Sequence, residues 1–403
     1  MSRLAAVFLC ATLLSCAPVK VPQAPAIAPV TLSLVESEPV ETNLDRPDIP
    51  DASAVWLEMV NGAKRTIDVA QFYASEAEPQ WIASSKLTPI IDALVSAHER
   101  GVKVRFLVDE KFVPQYPGTI DRLKKAGIEV RRIDGDAIFG GVEHAKYFIV
   151  DGFTSFIGSQ NFDWRALTHI QEMGVCLHST EFAHQLQDLF DTDWAIAGGA
   201  SMEARMRKHP PAGALPGVEA QRVELVASPK GWLPDESSWD LPRIIALLDG
   251  AKQSIQLQVL KYKTIDRSGH RFTEIDDAIR RAAARGVKIR FIISEWGMKD
   301  PSIQALRDLT PVVEVRVITI PKWSGGDIPF ARVAHAKYLV VDENVAWIGT
   351  SNWEGDYFMK SRNVGVILHE GTIPKRLAKF FDENWTNGLV TPVLPAPAPN
   401  PSP

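Results

Sequence analysis

His144, Lys146, Asp151, Gly158 and Asn161 recur, in order and at the same spacing, as His335, Lys337, Asp342, Gly349 and Asn352. The two stretches, HAKYFIVDGFTSFIGSQNFDWR and HAKYLVVDENVAWIGTSNWEGDYF, begin at positions 144 and 335. Residues two apart on an extended strand share a face, so each His stands beside its Lys. The apolar run between Lys and Asp marks a buried strand. Asp opens a turn, and Gly-Ser/Thr-x-Asn returns the chain to the same end. Each copy therefore offers one imidazole, one ammonium and one amide, and two copies face to face give two of each around one point. That set suits a phosphodiester. Two Lys and two Asn stabilise the charge on the phosphoryl oxygens, and the extra charge of the transition state, without a metal. One neutral imidazole attacks phosphorus to give a phosphohistidine. The other, protonated, donates to the leaving alcohol and then activates water. Imidazole titrates near pH ~6.5, so both states are reachable at neutral pH. A single copy is readily an incidental strand histidine beside an exposed lysine; two complete copies at shared spacing argue against that reading.

The elements that must position these groups are duplicated too. AKRTIDV at Ala63 matches AKQSIQL at Ala251, GVKVRFLVDE at Gly101 matches GVKIRFIISE at Gly286, and FDTDW at Phe190 matches FDENW at Phe381. In each half helices alternate with strands, which predicts an α/β fold of two homologous domains. Each domain is expected to be a mixed sheet flanked by helices, the pair packing as a pseudo-dimer around one active site. The expected boundaries are 31–206 for the first domain, 207–221 for a linker (RKHPPAGALPGVEAQ), 222–389 for the second domain and 390–403 for a Pro-rich tail. A length of 403 residues fits two domains, and 45% hydrophobic residues suffice for their cores. A net charge of −5 argues against a globally basic nucleic-acid binder, so any grip on phosphate must be local.

The N-terminal MSRLAAVFLCATLLS, residues 1–15, reads as a signal peptide whose apolar run is too short to span a bilayer. Leu13-Leu14-Ser15-Cys16 resembles the bacterial lipoprotein signal. The resemblance implies acylation of Cys16, a Pro/Ala tether over 16–30, and a lipid-anchored protein of the bacterial envelope, in the outer membrane or periplasm. An ordinary cleaved signal peptide and a retained anchor are the alternatives. With Cys10 removed and Cys16 acylated, Cys176 is left as a lone, buried strand thiol. The other histidines show neither HExxH nor paired-Cys spacing, so no metal and no cofactor are expected. Because duplication supplies both half-sites, no obligate protein partner is expected.

The paired HxK(x)4D(x)6G(S/T)xN motifs resemble those of the phospholipase D superfamily. GSQNFDWRALTHIQEMGV, IGTSNWEGDYF, SLVESEP at Ser33, ISEWG at Ile293 and IPFARVAHAKY at Ile328 narrow the resemblance to one branch. That branch holds the animal lysosomal phospholipase D-like 5′ exonucleases and related poxvirus envelope proteins, and the likeness runs from about Thr31 to Gly388. It implies His144 as nucleophile and His335 as general acid, with Lys146, Lys337, Asn161 and Asn352 on the phosphate. Ser159 and Thr350 would add hydroxyl donors. Asp151 and Asp342 are counted with the catalytic motif but read as more structural than catalytic, fixing its turn. Glu172, eleven residues after Asn161, is placed to back one histidine. Its counterpart by offset is Asn363, which leaves open which histidine has the acid. Phe72, Tyr73 and Tyr262 end the first strands of the repeats, and Trp164, Trp353 and Tyr357 follow the Asn residues. Each is a candidate for stacking bases or holding acyl chains, with core packing as the blander role. Trp194 and Trp385 are expected to pack helices. Arg165, Arg332, Lys360 and Arg362 either extend the phosphate clamp or are solvated. The expected substrate is single-stranded nucleic acid, the alternative a phospholipid head group, and a non-catalytic scaffold the reading from another class.

Overall fold

Strand Lys146–Val150 shows how each half makes a two-faced sheet. Tyr147 and Ile149 join one buried apolar cluster, Phe148 and Val150 another. Period-two alternation of this kind puts both faces of a sheet against helices. The computed structural model describes residues 31–200, 209 and 222–395. The expected signal peptide, Cys16, the tether, most of the linker and the end of the tail lie outside these.

The first sheet runs, edge to edge, through Leu32–Ser37, Ile170–His178, Thr154–Gly158, Lys146–Val150, Thr66–Gln71, Lys103–Asp109 and Glu129–Ile133. The second repeats it with Arg222–Ser228, Asn363–His369, Val345–Gly349, Tyr338–Val341, Ser254–Val259, Lys288–Ser294 and Glu314–Ile318. Both are mixed, parallel at the Thr66–Gln71 and Ser254–Val259 side and antiparallel elsewhere. Val390–Pro392 adds an antiparallel edge strand to the second sheet, and Val390 and Val393 are buried. The expected tail from residue 390 is thus corrected at its start, where Val390 and Val393 still find apolar partners and the chain pairs before its prolines become dense.

Helices Ala52–Gly62, Thr88–Glu99 and Pro117–Lys125 cover the outer face of the first sheet. Asp240–Gly250, Glu274–Ala284 and Ser302–Leu309 cover the outer face of the second. Between the sheets one continuous cluster draws on both halves and on helices Thr180–Ala197 and Thr372–Trp385. The repeated FDxxW belongs here. Trp194 carries the guanidinium groups of Arg105 and Arg131 over its ring, and Trp385 those of Arg290 and Arg316. Both tryptophans pack helix on sheet, as expected. Among the described residues no helix is long and apolar enough to cross a membrane.

The motif aspartates hold the turns. Asp151 has φ 55° and Asp342 φ 53°, in the left-handed region that Asp tolerates better than most residues. The carboxylate of Asp151 accepts backbone N–H bonds from Lys64, Arg65 and Thr66 at 2.8, 2.7 and 2.9 Å. That of Asp342 accepts from Lys252, Gln253 and Ser254 at 2.9, 2.7 and 2.8 Å. In register, Lys146 pairs with Gln71 while Val150 pairs with Ile67, so Asp151 lies at the far end of the strand from His144. Neither aspartate is catalytic, which corrects their place in the catalytic set; each ties the turn of its motif to the start of the first strand. The motif glycines answer a close approach. Gly158 pairs with Gly174, and a Cβ there would meet the Phe156 ring at 2.7 Å and the Gly174 backbone at 3.0 Å.

Partial burial raises the Asp342 carboxyl, but the three backbone N–H donors outweigh it and hold the group below its ordinary range. A depressed folded-state value contributes stability at neutral pH that is lost as pH falls through it. Asp342→Asn is expected to lower unfolding stability at pH 7 by about 1–2 kcal/mol, discounted for solvent screening. In urea titrations the gap between variant and wild type should narrow below the carboxylate range; a gap independent of pH would contradict this account.

Candidate active site

His144 and His335 stand just before strands Lys146–Val150 and Tyr338–Val341, where the two halves meet. The backbone N–H of His144 donates to the Arg362 carbonyl at 2.8 Å, and that of His335 to the Gln171 carbonyl at 2.8 Å. Positions 171 and 362 are equivalent in the repeat, so each motif is hung on the other half. The next residue on each supporting strand reaches the imidazole. His335 donates its Nδ1–H to Glu172, whose oxygens lie at 2.8 and 3.0 Å. His144 donates its Nδ1–H to the Asn363 Oδ1 at 3.0 Å. The Asn363 amide is fixed the right way round. Its Nδ2 donates to the Tyr357 carbonyl at 2.7 Å and its Oδ1 also accepts from the Thr350 hydroxyl at 3.0 Å. Both histidines therefore hold hydrogen on Nδ1 and present Nε2 as the free ring nitrogen. The backing is crossed: the acid after the first motif serves the second histidine.

Below the imidazoles lie the motif lysines, both fully buried. Lys146 Nζ donates to the His144 carbonyl at 2.5 Å and Lys337 Nζ to the His335 carbonyl at 2.6 Å. Burial and the neighbouring Lys337 hold Lys146 well below the usual ammonium range. Burial brings Lys337 down to about 7, Glu172 offsetting part of the effect and Lys261 adding to it. A phosphodiester anion between them would favour the charged form of both and oppose these effects. Asn161 and Asn352 border the cleft, and each leaves a buried amide Oδ1 without a hydrogen-bond partner. Turning either amide end for end puts an Nδ2–H donor there, which matches a phosphoryl oxygen.

The histidines differ electrostatically. Burial, then the ammonium groups of Lys146 and Lys337, hold His144 well below its ordinary value, the Asn363 bond offsetting little. Burial also lowers His335, but the Glu172 carboxylate offsets part of the effect, so it is held less far down than His144. His335 is the one that keeps a proton more readily.

The cleft has a volume of about 260 Å³. Phe72, Tyr73, Phe112 and Tyr116 form its aromatic wall, Tyr73 and Tyr116 stacked at 5.2 Å. Phe72 and Tyr357 hold the His144 ring edge-on, each at 4.8 Å. Leu260, Lys261, Trp296 and Phe330 line the opposite side. Of the expected aromatics, Phe72, Tyr73 and Tyr357 reach the cleft, while Tyr262, Trp164 and Trp353 are core.

Several expected site residues do other work. Ser159 spends its hydroxyl on the backbone of Met173, donating at 3.2 Å and accepting at 3.0 Å. Thr350 spends its own on Asn363 and on the Val364 N–H. They fasten neighbouring strands and are not phosphate donors, which corrects that expectation. Arg362 forks onto Asp193 at 2.9 and 2.8 Å, and Arg165 pairs with Asp163. Arg332 donates to the Pro321 and Val40 carbonyls, and Lys360 to Asp356. None of the four extends the phosphate clamp. Sequence reasoning missed Phe112, Tyr116, Lys261, Trp296 and Phe330. For Lys261 a signal was present, since it follows Ala251 at the spacing by which Tyr73 follows Ala63.

Comparison with known proteins accords with this geometry. The family model described as "Cardiolipin synthase, PLD-like domain" matches twice, over residues 56–194 and 244–385. The 5'-3' exonuclease PLD3 of Bos taurus is 31% identical over 397 residues, covering 90% of this chain and 80% of its own. Phospholipase D Z of Dictyostelium discoideum is 29% identical over 390 residues, covering 90% and 91%. Among solved structures, a phosphatidylserine synthase of Haemophilus influenzae superposes with a TM-score of 0.61 at 13% identity, over 84% of this chain and 85% of that one. At that identity the likeness is one of fold.

Glu172→Gln keeps an acceptor for His335 but removes the charge. The His335 midpoint in an imidazole NMR titration should move down and that of His144 should move far less. At neutral pH kcat/KM should fall about 10- to 100-fold. A larger shift at His144 than at His335 would refute the crossed backing.

Proposed function

The chain belongs to the phospholipase D superfamily and is a phosphodiesterase, and from that premise we propose that it removes nucleotides from the end of single-stranded nucleic acid through a phosphohistidine. The observation that carries this reading is the wall of Phe72, Tyr73, Phe112 and Tyr116 beside the paired histidines. Flat aromatic faces accept any base by stacking, worth about 1–3 kcal/mol per base. A small cleft lined by both histidines, with the two motif lysines buried behind them, suits one nucleotide and its phosphate. An end-acting enzyme needs few basic contacts, which fits a net charge of −5. The names of the exonuclease relatives favour the same substrate.

In the proposed cycle neutral His144 attacks phosphorus through Nε2. The P–O bond to the leaving alcohol breaks and protonated His335 supplies that oxygen with a proton. Lys146, Lys337, Asn161 and Asn352 stabilise the oxygens of the trigonal-bipyramidal transition state. His335, now neutral, takes a proton from water as the water attacks phosphorus. The P–N bond breaks and His144 leaves as a neutral imidazole. Glu172 stabilises the imidazolium of His335 each time it forms. A phospholipid substrate is the second reading, favoured by the relative named Phospholipase D Z. For the N-terminus we retain the lipid anchor as a proposal resting on the sequence around Cys16.

With EDTA present, the mature protein should degrade single-stranded DNA and leave phosphatidylcholine and cardiolipin vesicles intact. Turnover of vesicles alone would sink the nuclease reading, and complete loss in EDTA the metal-free mechanism. His144→Ala and His335→Ala should each lower kcat at least about 1,000-fold. Palmitate labelling of the whole chain should disappear in Cys16→Ala; labelling that persists would remove the anchor at that residue.

A further inference from the structure

The two walls of the cleft come from equivalent positions with opposite chemistry. After strand Thr66–Gln71 the chain gives Phe72 and Tyr73; after Ser254–Val259 it gives Leu260 and Lys261. Backbone pairing makes the equivalence independent of the sequence match. Ala74 bridges Phe162 in the first half, and Tyr262 bridges Trp353 in the second. Tyr73 and Lys261 are thus the same place in the repeat. In the first half the Tyr73 hydroxyl donates to Asp163 at 2.7 Å. The counterpart of Asp163 is Glu354, and it is taken: Lys263 Nζ donates to it at 2.6 Å. Among the described residues Lys261 makes no ion pair, yet it is only partly exposed and lines the cleft beside His335 and Asn352.

Charge counting gives this ammonium a role. Lys146, Lys337 and the protonated His335 share Glu172 and one phosphodiester anion. Lys261 is a further cation of the cleft, and the carboxylate that acts on it, Glu354, is already held by Lys263. An incompletely compensated, partly desolvated ammonium at the edge of an anion site attracts a second anion. We propose that Lys261 binds the phosphate next to the scissile one, on the side of the leaving group, so that the preferred substrate is a polyanion with at least two consecutive phosphodiesters. The inference rests on the nucleic-acid reading of the site and adds a direction. The released nucleotide lies against the aromatic wall, and the remaining strand leaves past Lys261. Cardiolipin also carries two phosphates, so the test includes it.

The test compares wild type, Lys261→Met and Lys261→Arg on TpT, with one phosphate, and TpTpT, with two, and includes cardiolipin vesicles. Wild type should prefer TpTpT. Lys261→Met should reduce that preference about tenfold in kcat/KM, mainly through KM, and Lys261→Arg should retain most of it. The salt dependence of log KM for TpTpT should flatten by about 0.7 per decade in Lys261→Met. If both oligonucleotides are turned over with the same preference in Lys261→Met as in wild type, Lys261 does not bind the second phosphate. If wild type hydrolyses cardiolipin and neither oligonucleotide, the nucleic-acid reading fails and this assignment with it.

Discussion

The backbone N–H of His144 is held by Arg362 and that of His335 by Gln171, and the rest of the site depends on this exchange between halves. An imidazole that must alternate between nucleophile, acid and base needs a fixed tautomer and a fixed aim. A single strand edge cannot give both, because the group on Nδ1 must come from outside the motif. Duplication solves this by crossing. The strand that supports each histidine backbone places Glu172 or Asn363 on its ring. The same crossing recurs one residue earlier, where Arg362 forks onto the buried Asp193 while Gln171 pairs with Asn384. A buried ion pair in one copy and an amide pair in the other occupy equivalent places. The interface is thus a pseudo-twofold with different chemistry on its two sides.

That difference gives the site its polarity. Two identical half-sites would offer two equal histidines and two equal walls. Here one histidine is backed by a carboxylate and the other by an amide. One wall is aromatic and the other carries Lys261. The asymmetry lies at equivalent positions of the repeat: Glu against Asn at 172 and 363, Tyr against Lys at 73 and 261. The structural parts of the motif stayed alike. Both aspartates accept three backbone N–H groups, and both glycines sit against a partner glycine.

The paired motifs and their alternating strands were legible in the sequence because period two and fixed spacing are local signals. Two mixed sheets and a shared cleft follow from them. The edge strand at Val390 was hidden by the prolines around it, which weigh against a strand in composition but not at a sheet edge. Ser159 and Thr350 look like phosphate donors by position, and only the paired strand beside them shows where their hydroxyls are spent. The partner of Glu172 was unreadable because nothing local tells a residue which half it will face. The loop aromatics Phe112, Tyr116, Trp296 and Phe330 reach the cleft through turns that carry no pattern. Lys261 was within reach of the repeat offset, but a lysine after a strand reads as solvated until its neighbours' partners are known.

The central claim is that one chain builds one asymmetric site, with His144 carrying the phosphoryl group and His335 the proton. Trapping the intermediate tests it most directly. Thymidine 3′-(4-nitrophenyl phosphate) has a leaving group that departs without a proton, so His335→Asn should still be phosphorylated but hydrolyse its adduct slowly. Peptide mapping by mass spectrometry after neutral quench should then find the thymidine phosphoryl group on His144. An adduct on His335 in the His144→Asn protein, with none on His144 in the His335→Asn protein, would contradict the account.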